Sequence, residues 1–328
     1  MERRGLEMGL PVYKRAINIY QHGGALLFLR RLLRSLLLRL YVFMSPVVFA
    51  KLEMFFILGY WPNIDNPKTL NEKINYRKLF APHPLSVLVS DKYAARAYVV
   101  SKTGRRDLLN DIYFVGSEPG RIPFDDLPNK FVIKANHGSG WNIIVFDKSN
   151  MNRDKVIAKC NMWLSRKYSD TVFSEIHYDK IIPKIIVEKF IEDSFFYLPL
   201  DYKFLCFDGK VHCIEAVIRS SDNYREIHYD ANWNKMNFRW GTLRAKDFTK
   251  PRLLDEMIIV AEKIANGFDF CRVDLYCPDN KKIIFGEITL TPGSGLSPFY
   301  PREWDYRLGK LWKMQINPTK RESSYQYK

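Results

Sequence analysis

Hydrophobic and polar positions follow three different rhythms along this chain. The first is helical and lopsided. Residues 26–40 read LLFLRRLLRSLLLRL. On a helix, Arg30, Arg31 and Arg34 share one arc, Arg39 sits at an edge, and the rest of the circumference is Leu and Phe. Residues 41–61 are also apolar but contain Pro46 and Lys51, and pair with 26–40 as an expected helical hairpin. The turn-rich stretch PNIDNPKT at 62–69 marks a boundary. The second rhythm is ordinary helical amphipathicity. It predicts helices over 70–80, 92–102 (with Ser90-Asp91 as N-cap), 151–167 and 251–266, the last ending at Gly267. The third is the short apolar run bounded by turn residues. It predicts strands at 112–115, 131–133, 142–146, 185–188, 202–207, 211–218, 270–276 and 281–287. Asp208-Gly209 between two of these runs is a type I′ hairpin signal, and Pro278-Asp279-Asn280 joins the last pair. Helices and hairpins do not alternate as βαβ units. The pattern therefore reads as α+β with mixed sheets.

Composition narrows the partners. At 47% hydrophobic and 27% charged residues, the 328-residue chain is neither disordered, collagen-like nor a polytopic membrane protein. Its net charge of +15 calls for an acidic partner. The first 60 residues hold nine Lys/Arg against three acids. This concentration at one end, away from any aromatic-basic sheet face, speaks against nucleic acid. Residues 26–40 are too interrupted by arginine to span a bilayer, and lack a signal-peptide cleavage site. Two readings stand for them: a helix on an anionic membrane surface, or a helix packed on the protein's own core. Five cysteines without a C-x-x-C pair point to thiols packed as small apolar residues in a reducing cytoplasm.

Three stretches carry candidate chemistry. An apolar strand ends on Lys134 and enters the small loop Asn136, His137, Gly138, Ser139, Gly140. Such a loop lets backbone N–H groups approach phosphate oxygens beside a lysine point charge. Taken alone, a lysine before a glycine turn is common. A second strand, 185–188, runs into Glu188, Lys189, Phe190, Ile191, Glu192 and Asp193. Exposed strand-end backbone can read an adenine and a carboxylate can read a ribose, although a strand simply leaving the core looks the same. Third, Asp274 and Glu287 sit inside apolar runs on two strands of one hairpin, so their carboxylates can meet. Facing carboxylates repel unless a cation bridges them, and Mg²⁺ suits such hard oxygen donors.

In this order the stretches resemble the ATP-grasp superfamily, which includes D-alanine–D-alanine ligase and the RimK-type glutamate ligases. The resemblance spans residues 90–300. It implies two α+β lobes gripping ATP. By that match Lys92, in Asp91-Lys92, and Lys134 contact nucleotide phosphates, and the loop from Asn136 to Gly140 folds over the γ-phosphate. Glu188, Lys189 and Ile191 match the adenine-binding hinge. Glu192, Asp193 and Asp201 compete for the ribose. Lys203 matches a residue on the phosphates or acceptor, and Arg219 one near the transferred group. Asp274 and Glu287 match the metal carboxylates, with Arg272 beside them. The usual metal-binding Asn two positions after the Glu is here Thr289.

A closer resemblance is to the TupA-like ATP-grasp family of polysaccharide and teichuronopeptide biosynthesis. It rests on residues 70–75 (LNEKIN), Ser90 to Tyr93, Lys134 to Gly140, Asp201 to Phe204, Tyr229-Asp230 with Trp233, and Gly286 to Thr289 with Pro292 to Gly295. In that family threonine after the Glu is usual. Charge and pattern set off a basic helical segment (1–61) and a polar tail (313–328), and the resemblance makes the part between them a catalytic domain (62–312, hinge near 188–193). It implies an ATP- and Mg²⁺-dependent ligase that joins an amine to a carboxylate-bearing saccharide of a bacterial capsule or cell wall. That enzyme would sit in the cytoplasm, peripherally on the inner membrane face. Arg272, Arg219 and Lys203 would hold the reacting groups. His137 either orients a phosphate or makes a structural hydrogen bond. Tyr224, Tyr229, Trp233, Phe238 and Trp240 either line a sugar face or pack the core. Two other readings stand beside this one. A glycosyltransferase would usually show an Asp-x-Asp motif, absent from the sequence, and a non-catalytic member would bind nucleotide without turnover.

Overall fold

The computed structural model describes residues 44–170, 175–219, 224–241 and 243–316. The amphipathic segment 26–40 lies outside them, as do residues 317–328 of the polar tail. The first described helix, α1 (Pro46–Leu58), starts where Ser45 accepts from the Val48 N–H and stops at Gly59 in the left-handed region. It is followed by α2 (Leu70–Phe80). A capping box starts α2: the Thr69 hydroxyl accepts from the Glu72 N–H, and the Glu72 carboxylate accepts from the Thr69 N–H. The two helices share one apolar cluster, which contains Ala50, Met54, Ile64, Tyr76, Leu79 and Phe80.

Two further helices, α3 (Ser86–Ser90) and α4 (Ala94–Thr103), follow. The start expected at 92 moves to 94 because the Asp91 side chain accepts from the N–H groups of Tyr93 and Ala94, while Ser90 closes α3.

A first sheet then forms from β1 (Ile112–Gly116), β2 (Phe131–Ala135), β3 (Asn142–Val145) and β4 (Ile185–Lys189), in the antiparallel order β1-β4-β2-β3. Helix α5 (Arg153–Leu164), capped by Asn152, covers one face. Phe131, Ile133, Ala135, Ile185 and Val187 point into the resulting core with Val156, Cys160 and Trp163. The period of two leaves Val132, Lys134, Ile186 and Glu188 on the opposite face.

The second, larger sheet is built on hairpins. It contains β5 (Asp201–Phe207), β6 (Lys210–Arg219) and β7 (Tyr224–Tyr229), with the short β8 (Lys235–Met236) on β7. Beyond β9 (Arg239–Trp240), β10 (Leu243–Arg244) adds a parallel edge to β7. Helix α6 (Leu254–Ala265) leads to β11 (Phe270–Tyr276) and β12 (Ile284–Thr289), which complete the order β10-β7-β6-β5-β11-β12. The Asp208-Gly209 turn has both residues at positive φ, as a type I′ hairpin requires. The strand expected from 281 begins at Ile284, because residues 278–280 form a 3₁₀ turn with Asp279 and Asn280 at positive φ.

One face of this sheet packs on α4 and α6, with Phe204, Ile214, Val273, Met257 and Ile264 in the main core. Part of the other face packs on α2 and on α7 (Glu303–Leu311), which follows β13 (Phe299–Tyr300) and buries Leu308 and Trp312 beside Phe207 and Phe270. Helix α7 and strand β7 were not expected from the sequence pattern. All five cysteines are buried free thiols. No helix among the described residues is long and apolar enough to cross a membrane.

Candidate active site

The remainder of the larger sheet's open face looks across a cleft of about 490 Å³ towards the polar face of the first sheet. Strand register decides what it presents. Glu215 on β6 lies opposite Lys203 on β5, Lys203 opposite Asp274 on β11, and Asp274 opposite Glu287 on β12. Four charged residues from separate stretches of chain thus form one row across the sheet. Their neighbours at the next position on each strand are apolar and buried.

Within this row the ion pairs interlock. Lys203 Nζ lies 2.6 Å from Asp201 and 2.7 Å from Asp274. Arg219 donates to Asp201 at 2.9 Å. The Arg272 guanidinium clamps Asp274 through Nε and Nη2, both at 2.7 Å, and reaches Glu287 at 3.1 Å and the Thr289 hydroxyl at 3.2 Å. Gly286 is the bulge residue that lets β12 turn Glu287 onto this face. A Cβ there would meet the Asp274 carbonyl oxygen at 3.0 Å.

The field separates the two carboxylates. Burial would raise Glu287, but Lys92, Arg272, Lys203 and Arg219 hold it down to about 2. Burial dominates at Asp274, and with Asp201 and Glu287 as like-charged neighbours it is pushed up to about 6 despite Arg272 and Lys203. Lys203 is raised: burial and Arg272 oppose its charge, and Asp201 and Asp274 outweigh them.

The opposite wall supplies Lys134, paired with Glu188 at 2.6 Å. Lys92 follows α3 and joins the two walls. Its Nζ donates to the Gly138 carbonyl, and its charge bears on Glu287, Lys134 and Glu188. Burial lowers the Lys92 pKa.

Of the site residues read from the sequence, Lys92, Lys134, Ser139, Gly140, Glu188, Lys189, Ile191, Asp201, Lys203, Arg219, Arg272, Asp274, Glu287 and Thr289 all line this cleft. Three do not. His137 is buried, with its ring nitrogens on the Trp163 carbonyl and the Asn136 side chain, so it fastens the loop rather than facing the cleft. Gly138 packs against Trp141 and Tyr168, where a Cβ would come within 2.9 Å of either ring. Asp193 is spent on a turn, accepting from the N–H groups of Phe195 and Phe196. Glu192 pairs with Lys130 on the surface. Among the three carboxylates that compete for a ribose, Asp201 alone lines the cleft.

The Lys189 backbone is also engaged, its N–H by the Asp111 carbonyl and its carbonyl by Asn110. Among the aromatics, Tyr229 and Phe238 are buried, Trp233 stacks on Tyr229 at 4.0 Å, and Trp240 lines the cleft.

Sequence reasoning missed Glu175, Tyr178, Glu215 and Glu226, which line the same cleft. Glu215 carried the signal that singled out Asp274: an acid within an apolar strand. Glu215, Glu226 and His228 bring their ligand atoms within 4.8 Å of one another.

Asp274, Glu287 and Thr289 offer only oxygen donors, which fits Mg²⁺. Asp201 Oδ1, buried in the same charge cluster with no hydrogen-bond partner, also favours a cation or donor arriving with a ligand.

Comparison with known proteins adds the following. The TupA-like ATP-grasp family model matches residues 72–313. No curated protein matches the chain. Solved structures similar to it include three proteins. One is N5-carboxyaminoimidazole synthase from Aspergillus clavatus with ADP and 5-aminoimidazole ribonucleotide (11% identity, TM-score 0.37, covering 62% of this chain). The second is D-alanine–D-alanine ligase from Bacillus anthracis with ATP (16%, 0.38, 68% of each chain). The third is the ATP-grasp ligase PsnB with a minimal precursor (9%, 0.35, 63% of this chain and 54% of that one). The chain spans 44% of the length of the first of these.

Proposed function

Because the chain belongs to the TupA-like ATP-grasp family, we propose that its cleft binds ATP with Mg²⁺ and ligates a carboxylate to an amine. The observation that carries this reading is convergence. Lys92 and Lys134 from one wall, and Lys203, Arg219, Arg272, Asp274 and Glu287 from the other, all line a single cleft.

In this account the nucleotide lies between the sheets. Its adenine rests against Phe190 and Ile191, past the engaged backbone of Lys189, and Asp201 is the carboxylate within reach of its sugar. Lys92 and Lys134 neutralise phosphate charge, and the backbone of Ser139 and Gly140 lies beside them. Asp274 and Glu287, with Thr289, would hold Mg²⁺, which supplies positive charge to the phosphate oxygens when bound. A substrate carboxylate oxygen attacks the γ-phosphorus and ADP leaves. The amine nitrogen then attacks the acyl carbon, phosphate departs, and the amine gives up a proton. Arg272 and Arg219 orient the acyl group.

We further propose that the carboxylate belongs to a saccharide, such as a uronic acid of a bacterial surface glycan. Trp240, an aromatic residue of the cleft lining that also stacks on Phe299 at 5.0 Å, supports this. We place the basic segment 26–40 on an anionic membrane surface, where lipid-linked saccharides would be met.

Hydroxylamine trapping tests the chemistry. With ATP, Mg²⁺ and a panel of uronic acids, the protein is expected to yield a hydroxamate with equimolar ADP. Glu287→Gln should lower that yield by about a hundredfold or more. ADP release without any hydroxamate, or an undiminished yield in Glu287→Gln, rejects the proposal.

A further inference from the structure

A second cavity, of about 230 Å³, lies behind one wall of the cleft. Its sides are the end of α2 with the following Pro82-His83-Pro84, the start of α3, and the 3₁₀ turn Ile176–Lys180. Leu290 and Thr291 close it towards the cleft. Thr291 lines both cavities.

The charge of its lining is one-sided. Arg77, Lys78, Lys180, His83 and His177 all contribute, and no acidic side chain among the described residues lines it. Acids outside the lining offset part of this charge. Asp269 pairs with Arg77, Glu175 and Glu53 bear on Lys78, and Asp179, which accepts from the Ser169 N–H and hydroxyl, bears on His177. Two of the cations are structural. Arg77 donates to the Phe270 carbonyl at 2.7 Å as well as to Asp269, and Lys78 holds the Ser294 carbonyl and hydroxyl at 2.7 and 2.9 Å.

The other three groups are different. Lys180 is exposed at the rim. The His83 Nδ1 accepts from the Leu85 N–H, so its neutral ring carries its proton on Nε2. The His177 ring packs on Tyr178 at 4.4 Å. Burial depresses both imidazoles, His177 to about 4, so each is a neutral N–H donor near pH 7.

With Arg77 and Lys78 balanced by acids, the Lys180 ammonium and two imidazole N–H donors remain around an open cavity, and a small anion is the group that accepts from all three. Roughly 300–1,000 Å³ suits drug-sized ligands, so an occupant here is small. We propose that this pocket binds a small anionic group, a carboxylate or a phosphomonoester, through Lys180, His83 and His177. Such an anion would be felt in the cleft. Lys78 fixes Ser294, and Ser294 and Thr291 form part of the cleft wall.

The six histidines of the chain make a local test practical. The full-length protein, labelled with ¹⁵N-histidine, is titrated with inorganic phosphate in one arm and N-acetylglycine in the other. Imidazole resonances are assigned through His83→Gln and His177→Gln. The proposal expects saturable shifts of the His83 and His177 signals. Lys180→Ala, a change at an exposed position, should weaken the apparent affinity by about tenfold. Response to phosphate alone assigns a phosphate-bearing ligand, and response to N-acetylglycine alone a carboxylate-bearing one. If neither anion moves these two signals, if His137 beside the cleft moves instead, or if Lys180→Ala binds as tightly as the wild type, the pocket is not an anion site. None of these outcomes depends on whether the cleft binds ATP.

Discussion

Lys203 illustrates how burial and pairing compete at a single side chain. Its ammonium is almost fully buried, which by itself would favour the neutral amine, yet two carboxylates within 2.7 Å keep it charged. The sequence placed this lysine on phosphates or acceptor. The structure shows it first as the brace that lets Asp201 and Asp274 coexist on one face. That duty was illegible because it depends on β5–β11 register between residues 71 positions apart.

Asp305 is the opposite case, a buried acid without a cation. It accepts from the Asn71 N–H and side-chain amide, both at 2.9 Å, and from the Tyr60 hydroxyl at 3.3 Å. Burial pushes its carboxyl up to about 6, against those hydrogen bonds. The folded state therefore holds the proton more tightly than the unfolded chain. Its contribution to stability is complete below the ordinary carboxyl pKa and is lost as pH rises through about 6. Asp305→Asn cannot titrate. Between about pH 4 and pH 7 the wild type should lose on the order of 3 kcal/mol relative to the variant. Urea unfolding of both proteins across this range checks it, and parallel stability profiles would contradict it.

Among elements, the contact of α7 with the start of α2 makes the clearest demand on sequence. Gly309 in α7 lies so close to the chain at Lys68–Leu70 that a Cβ would overlap the Lys68 carbonyl oxygen and sit 2.8 Å from the Leu70 nitrogen. Gly to Ala inside a helix ordinarily gains about 1 kcal/mol. Here the sign should reverse, with Gly309→Ala losing about 2 kcal/mol through forced separation of the two elements. A denaturation midpoint equal to or above the wild type's would refute this packing.

The same elements show where pattern suffices. Residues 270–276 were bounded correctly because their apolar run is framed by turn residues, and Asp208-Gly209 announced its own hairpin. Caps decided two of the errors: Asp91 moved the start of α4, and Asn152 moved the start of α5. Helix α7 escaped notice because its apolar positions are few and its burial comes from Leu308 and Trp312 meeting Phe270. Local sequence does not record that meeting.

At the scale of the molecule, two sheets from different parts of the chain face one cleft, and Lys92 reaches both. Lys134, Glu188, Lys203, Asp274 and Glu287 were legible because each sets a charged side chain within or at the end of an apolar strand. What the motifs did not reveal is which side chains face inward. His137, Gly138 and Asp193 belong to the candidate stretches, but hydrogen bonding and ring packing turn them to structural tasks. Glu215 and Glu226 reach the cleft only through the pairing of β5, β6 and β7.

A single nucleotide held by both walls is what the proposed ligase chemistry requires. Calorimetric titration of ATP into the full-length chain, with Mg²⁺ and again with EDTA, addresses it directly. The predicted result is one ATP bound per chain, about tenfold or more tighter with Mg²⁺, with comparable weakening in Lys134→Ala and in Glu287→Gln. Absence of ATP binding under both conditions, or binding indifferent to both substitutions, would contradict it.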